Sequence, residues 1–182
     1  MSTQHSIGPS SFAFLPAVIG PQWYAVHTSS RHEKQVAGKL AERGIEYFLP
    51  LYEELRRWTD RQVKVQLPLF PGYLFVHMVA GQKMDVLRVP GVAELVGFNR
   101  GLVPVDPQEI AALKRGCTFG ASVTPHPYLK TGCRVRVRSG VLRDTEGILV
   151  RNGQQDRLVI SVDLLMQSVA LEIDAADVEV VS

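Results

Sequence analysis

The sequence predicts an α+β protein of two small domains, and three observations support this fold class. Apolar residues make up 46% of the 182 residues, which is enough to build packed cores. Helix and strand patterns alternate in the first part of the chain, whereas the last part contains only short strand patterns. Glycines and prolines around residues 116–130 interrupt every periodic pattern. We therefore expect a tail without fixed structure over 1–20, a first domain over 21–116, a flexible linker over 117–129 and a second domain over 130–182.

The first domain is expected to begin with a strand followed by a helix. Residues 23–28 carry the aromatic and β-branched side chains that are typical of a strand. Ser30 and Glu33 have the spacing of a capping box, which predicts that a helix begins there. Glycine is common just after the last helical turn, so the helix should end near Gly44. Its predicted buried face consists of Val36, Ala37, Leu40 and Ala41.

A hairpin, a central strand and a second helix complete the first domain. Apolar and polar residues alternate over 62–67, which predicts a half-exposed strand in a hairpin over 51–67. The apolar run 69–76 predicts a central strand that the chain enters through a Pro-Gly bend. A sequence that suits an N-cap, with proline at the first helical position, predicts a short helix over 106–114. Together these elements predict a sheet with helices packed on it.

The second domain is predicted to be a small closed β-barrel without helices. About 50 residues of short strands separated by turn formers are typical of such barrels. The turn formers include Ser139–Gly140 and Asn152–Gly153. The five predicted strands are residues 133–138, 146–151, 157–162, 168–173 and 178–181.

The order of these segments resembles the NusG family, in which an α/β sandwich domain called NGN precedes an SH3-like β-barrel with a KOW motif. The most specific match is the run 69–76, Leu-Phe-Pro-Gly-Tyr-Leu-Phe-Val, followed by Val-Pro-Gly-Val at 89–92. Residues 23–26 and the helix with Glu33 also match. The segment 131–137 is similar to the KOW motif, which by itself is a weak signal because ribosomal and other RNA-associated proteins carry it too.

The resemblance implies a non-enzymatic protein that binds the clamp helices of RNA polymerase and suppresses pausing or termination. Residues at that surface should include aromatic anchors, because a few such side chains supply most of an interface's affinity. An aromatic run on a strand is more often core, so that interpretation stays open for each member. The candidate polymerase-binding residues are Phe70 and Tyr73 first, followed by His27, Phe75 and Phe98.

The KOW domain departs from the usual family pattern at its partner-binding loops. Val141 and Leu142 replace a Pro-Phe pair, and Leu165 and Met166 stand in a loop that usually reads Phe-Gly-Arg. Apolar side chains can still fill a partner's pocket, and Met does so adaptably. Two partners are left open, a ribosomal protein of the NusE type and Rho. These departures favour a specialised antitermination paralogue of the UpxY or RfaH type over a general factor.

Nucleic acid is a further expected partner, at the tip of the predicted hairpin. Arg56, Arg57 and Arg61, with Trp58 among them, suit phosphate pairing and base stacking on non-template DNA. A solvated hairpin tip explains the same residues equally well. The alternative function is a KOW-type RNA- or ribosome-associated binding protein. An RNA-binding barrel should be strongly basic. Residues 130–182 instead contain 7 Lys and Arg and 8 Asp and Glu, which does not support this alternative.

Several function classes find no support in the sequence. It contains no phosphate-binding glycine loop, no nucleophile signature and no metal-ligand spacing, so we expect no catalytic site, no cofactor and no metal. The two cysteines, Cys117 and Cys133, suit reduced thiols. No apolar run reaches the roughly 18 residues that a membrane span requires. We expect a monomer that acts in the cytoplasm.

Overall fold

A computed structural model of the chain describes residues 20–57, 61–98, 101–118, 123–129, 132–152 and 155–181. The α+β fold class is confirmed, with a mixed first domain and a second domain built mainly of strands. No helix within the described ranges is long and apolar enough to span a membrane. Apart from Gly20, the predicted tail lies outside the described residues.

The first domain is built on an antiparallel sheet. The strands of the first domain are β1 (Gln22–Thr28), β2 (Glu46–Phe48), β3 (Leu51–Arg57), β4 (Gln62–Pro68), β5 (Tyr73–Met78), β6 (Val92–Leu95), β7 (Gly97–Phe98) and β8 (Gly101–Leu102). Its helices are α1 (Glu33–Glu42), α2 (Lys83–Leu87) and α3 (Pro107–Thr118). The sheet has the order β2–β5–β1–β6, so the predicted central strand β5 is internal. β3 and β4 form a separate two-stranded ribbon, and β7 pairs with β8.

Both faces of this sheet are covered because β1 and β5 carry apolar residues on both sides. Val26 and Leu74 lie on one face, in a core shared with Leu40 of α1. Ala25 and Phe75 lie on the other, in a core shared with residues of α3. Side chains alternate between the faces of a strand, so this three-layer arrangement follows from the near-continuous apolar sequence of both strands.

Helix α1 begins in a different way from the prediction. Its N-cap is His32, which makes no side-chain capping bond. The capping-box prediction for Ser30 and Glu33 is wrong, because the Glu33 carboxylate accepts a hydrogen bond from the distant N–H of Gly72. Local spacing cannot reveal such a long-range bond. Three of the four residues predicted to form the buried face are buried, and only Ala41 is exposed.

Helix α3 is longer than the sequence suggests. Asp106 caps it as predicted, its carboxylate accepting the N–H of Gln108 at 2.8 Å. The helix then continues to Thr118 instead of ending at Lys114. It therefore includes the first two residues of the segment predicted as a linker.

The second domain, called here the C-terminal domain, is a six-stranded antiparallel sheet. Its strands are β9 (Thr124–His126), β10 (Cys133–Val137), β11 (Glu146–Asn152), β12 (Gln155–Val162), β13 (Gln167–Ile173) and β14 (Val178–Val180). Their order is β14–β10–β11–β12–β13–β9. All five predicted strands are present, with ends displaced by at most two residues. β9 lies in the segment predicted as a linker, where a proline hides the strand pattern, and it forms by pairing with β13.

The two domains meet along α3, and their apolar residues form one continuous cluster. Ala112 of α3 and Leu171 of β13 both belong to it. The close approach depends on Gly116, because a Cβ atom there would lie 2.5 Å from Cδ2 of Leu171. Ile110 and Leu113 of α3 belong to the same cluster, which also contains Ala25 and Phe75 of the first sheet. Helix α3 is therefore packed between the two sheets.

Candidate protein-binding surface

Three side chains form a row across the first sheet, on the same face as Phe75. His27 of β1 lies opposite Tyr73 of β5 and opposite Glu94 of β6. The imidazole of His27 stacks on the Tyr73 ring, with 5.0 Å between the centroids and 27° between the planes. Its Nδ1 lies 3.6 Å from Oε1 of Glu94, and the His27 side chain is 41% exposed. We call these three residues the Tyr73 row; it presents an aromatic ring, a histidine and a carboxylate side by side.

The Pro-Gly bend fixes the chain just before Tyr73. Gly72 has φ +83°, a left-handed conformation that glycine adopts without strain. Its N–H donates to Oε1 of Glu33 at 2.7 Å, and its carbonyl accepts the N–H of Thr28 at 2.8 Å. The N–H of Tyr73 donates to the carbonyl of Phe70 at 3.0 Å and closes the bend. Hydrogen bonds to the Glu33 side chain of α1 and to the backbone of β1 therefore hold the entry to β5.

The other predicted polymerase-binding residues lie elsewhere. Phe70 and Phe75 are both 0% exposed and meet edge to face, 5.9 Å apart, inside the core. The structure thus assigns these two rings to packing, in contrast to the prediction, because the bend turns Phe70 inward and Phe75 faces α3. The side chain of Phe98 lies outside the described part of the structure. Tyr73 and His27, both half-buried, are the two candidates that the fold brings together at a surface.

A second aromatic group lies on the same sheet face, and sequence reasoning missed it. Trp23 and His77, which face each other across β1 and β5, stack with centroids 4.9 Å apart. Nζ of Lys114 in α3 lies 4.1 Å from the Trp23 ring centroid and 3.8 Å from Oε1 of Glu46. Oε2 of that same carboxylate lies 2.7 Å from Nδ1 of His77. These contacts fasten α3 to the sheet, and only the register of the strands could have predicted them.

The predicted nucleic-acid residues lie at one end of the β3–β4 ribbon. Arg57, the last residue of β3, is opposite Gln62, and Arg61 immediately precedes β4. All three arginines are exposed. Nε of Arg56 lies 3.4 Å from Oε1 of Glu54, an exposed pair of the kind that contributes little stability. Trp58 lies outside the described residues.

The predicted partner-binding residues of the C-terminal domain divide into two pairs. Val141 is 47% exposed and Met166 is 67% exposed, each in a loop between strands. Leu142 is only 7% exposed and Leu165 is packed against the same core, so both stabilise the domain. Met166 has φ +50°, a conformation uncommon for a residue with a side chain, and it ends the turn after β12. The loops thus present one branched and one flexible apolar side chain to solvent.

A groove of about 660 Å³ separates part of α3 from the C-terminal domain. Glu109 and Asp163 both line it, and Asp163 also accepts a hydrogen bond from the Tyr128 hydroxyl at 3.0 Å. The pKa of Glu109 is raised to about 7, chiefly by burial; a hydrogen bond from the Asp163 backbone lowers it, and the neighbouring carboxylates of Asp163 and Asp106 raise it. This carboxyl is therefore half-protonated near neutral pH.

Metal binding finds no support in the described part of the chain, which contains no group of three or more His, Cys, Asp or Glu placed to hold an ion. The two cysteines are unpaired thiols. Burial raises the pKa of Cys117 to about 11, so this thiol is protonated at neutral pH.

Comparison with known proteins relates the whole described fold to one group of transcription factors. Residues 21–114, just over half of the chain, match the family model described as transcription termination factor nusG. The transcription termination/antitermination proteins NusG of Deinococcus radiodurans and of Thermus thermophilus are each 29% identical, over 86% of this chain and 97% of theirs. A solved structure titled "Domain interaction in Thermotoga maritima NusG" is 23% identical, with a TM-score of 0.53 over 89% of this chain and 98% of that one. The likeness extends through both domains.

Proposed function

Because the chain belongs to the NusG family of transcription termination and antitermination factors, we propose that it regulates elongation by binding RNA polymerase with its first domain and a second protein with its C-terminal domain. The single observation that supports the polymerase site best is the Tyr73 row. Its aromatic ring, histidine and carboxylate are held together at a surface by strand register. The resemblance to the family points to the clamp helices of the polymerase as the element bound.

The chemistry of the Tyr73 row suits a protein partner. Tyrosine is enriched among residues that dominate interface affinity, because it buries a large ring and keeps a hydroxyl that can bond at the rim. Glu94, whose side chain is 71% exposed, offers a carboxylate to a basic residue of the partner. His27 connects the two by stacking on one and lying close to the other. The three side chains together can bury an aromatic anchor beside a charged contact.

For the C-terminal domain we propose a role as the recruiting domain of a specialised antitermination factor. The exposed Val141 and Met166 support a contact with an apolar pocket on the partner. A ribosomal protein of the NusE type and Rho are the two partners to be distinguished. Departures from the general family pattern at 141–142 and 165–166 favour the UpxY or RfaH type, which acts on particular operons. A protein that binds the polymerase with its first domain and the partner with its C-terminal domain would join the two without any chemical reaction.

We further propose that the ribbon arginines contact non-template DNA while the first domain is attached to the polymerase. Arg56, Arg57 and Arg61 are exposed at the same end of the ribbon. A guanidinium pairs well with phosphate, so this end of the ribbon suits a nucleic-acid backbone. We propose that the protein acts as a monomer, together with the transcription machinery in the cytoplasm.

The test is binding of core RNA polymerase by the full-length chain and two tyrosine variants. We expect Tyr73→Ala to weaken binding by about 30-fold, the effect of removing one strong anchor. Tyr47→Ala is the matched control, because Tyr47 is an exposed tyrosine in the same sheet, opposite Val76 on the other face. Its affinity should equal that of the wild type. An equal loss in both variants, or no binding by the wild type, would refute the proposed surface.

A single-round transcription assay with and without Rho then tests the outcome of binding. Wild-type protein should produce longer transcripts on a long template, and Tyr73→Ala should not. Met166→Asp should leave polymerase binding intact and abolish any effect that depends on the second partner. Wild-type protein that binds RNA in place of the polymerase would favour the KOW-type RNA-binding alternative.

A further inference from the structure

We propose that Glu33 is a positioning residue for the polymerase-binding surface: its buried carboxylate fixes the Gly72 peptide and thereby sets the place of Tyr73. This inference rests on the proposed function, since it concerns the same surface. Glu33 itself, only 6% exposed, is too buried to touch a partner. Its action has to pass through the bend that it holds.

The burial of Glu33 is the first step of the argument. Among the described residues it is the only charged side chain in the buried class. Burying a carboxylate is costly unless it is paired or hydrogen-bonded, so the bonds that it makes are strong ones. Glu33 stands in the first turn of α1, where the helix dipole favours a negative charge. Its Oε1 accepts the N–H of Gly72 at 2.7 Å, a short charge-assisted bond.

The second step is that Gly72 is held on both sides. Its N–H is bound by Glu33 of α1, and its carbonyl is bound by the N–H of Thr28 at the end of β1. These two groups belong to the peptide units on either side of the Gly72 Cα atom, so neither unit can rotate without breaking one of these bonds. The left-handed φ of +83° at Gly72 is therefore maintained from outside the bend.

The third step connects the bend to the surface. Tyr73 is the next residue, and its ring stacks on His27, which directly precedes Thr28. Gly72 thus directly precedes one member of the aromatic stack, and Thr28, which binds its carbonyl, directly follows the other. If the peptide unit between Pro71 and Gly72 rotates, φ of Gly72 changes, and the direction of the Tyr73 side chain changes with it although β5 stays paired. Losing the Glu33 bond should therefore disorder the Tyr73 row while leaving the sheet intact.

The experiment is a double-mutant cycle on core RNA polymerase binding by the full-length chain. We expect Glu33→Ala to weaken binding by about tenfold or more, as for loss of a hydrogen bond to a charged group. Glu33→Gln keeps an acceptor oxygen and should restore most of the affinity. In a Tyr73→Ala background, Glu33→Ala should cost less than about twofold, because residues that act through one another are not additive. Glu42→Ala, at the exposed end of the same helix, is the control and should have no effect.

Amide NMR spectra of the same variants provide a second measurement that needs no polymerase. In Glu33→Gln the Gly72 and Tyr73 amide signals should shift, while those of β2 and α2 should not. Full additivity of Glu33→Ala with Tyr73→Ala, or unchanged Gly72 and Tyr73 signals, would overturn the inference and leave the proposed function standing. Wild-type protein that fails to bind polymerase would refute the proposed function instead. If Glu33→Ala does not fold, the Gly72 and Tyr73 amide signals of Glu33→Gln decide the inference by the same criterion.

Discussion

The guanidinium of Arg115 joins the two domains by donating two hydrogen bonds to Oγ1 of Thr145, from Nε at 3.1 Å and from Nη2 at 2.8 Å. Thr145 is only 1% exposed, so its hydroxyl is shielded from water in the described arrangement. Arg115 belongs to α3 and Thr145 directly precedes β11. The bond thus crosses from one domain to the other.

Thr145→Val tests this contact, because valine keeps the shape of the side chain and removes the acceptor. The free energy of unfolding should fall by about 1–3 kcal/mol, since a half-buried guanidinium loses its partner. Urea denaturation of the full-length chain measures the change. Thr118→Val is the control, because Thr118 is exposed and its hydroxyl donates to the carbonyl of Lys114 in its own helix. Equal stability of the two variants would show that the bond between Arg115 and Thr145 contributes nothing to stability.

Replacing either of two helical glycines with alanine should change the stability of the protein, but in opposite directions. Gly38 of α1 is exposed, and a Cβ atom there would meet nothing within 4 Å. Gly38→Ala should stabilise the protein by about 1 kcal/mol through helix propensity alone. A Cβ atom at Gly116 would press on Leu171, so Gly116→Ala should destabilise by about 1–3 kcal/mol through overpacking. Thermal unfolding distinguishes the two signs, and stabilisation by both would contradict the close packing of α3 on β13.

The contact between the domains should depend on pH through Glu109. Its folded-state pKa, raised to about 7 by burial, lies above the ordinary value that an exposed glutamate has. The stability that Glu109 contributes is therefore complete in acid and is lost as pH rises through about 7. Glu109→Gln should remove this part of the pH dependence and make the protein more stable than wild type at about pH 8. Unfolding curves at several pH values measure it; parallel profiles of the two proteins would contradict the prediction.

The sequence predicted most of the fold because its patterns are local. Arg134 and Arg136 alternate with Val135 and Val137, and the structure buries the two valines and leaves the arginines at the surface. The β9 strand escaped prediction because it depends on pairing with a distant strand, as does the long-range bond of Glu33. Local spacing carries no information about either.

The candidate site was predictable in part, for a related reason. The run 69–76 indicated which aromatic residues to consider, but alternation alone could not decide which of them face the core. Phe70 turned out to be buried because the bend precedes β5, which begins only at Tyr73. Glu94 and His27 became neighbours through the register of β1 with β6, which the sequence does not specify.

Salt dependence should separate a DNA contact at the ribbon from a merely solvated tip. If Arg57 binds a phosphate, Arg57→Ala should weaken binding of a single-stranded DNA oligomer by the polymerase complex. The slope of log affinity against log salt should also fall by about 0.7, the value for one lost contact on a single strand. Arg143→Ala is the matched control, because Arg143 is an exposed arginine of the C-terminal domain that lies near Asp144. Titrations over a range of salt concentrations give both slopes. A slope that Arg57→Ala leaves unchanged would mean that this guanidinium is solvated, and the ribbon would then be excluded as the nucleic-acid contact.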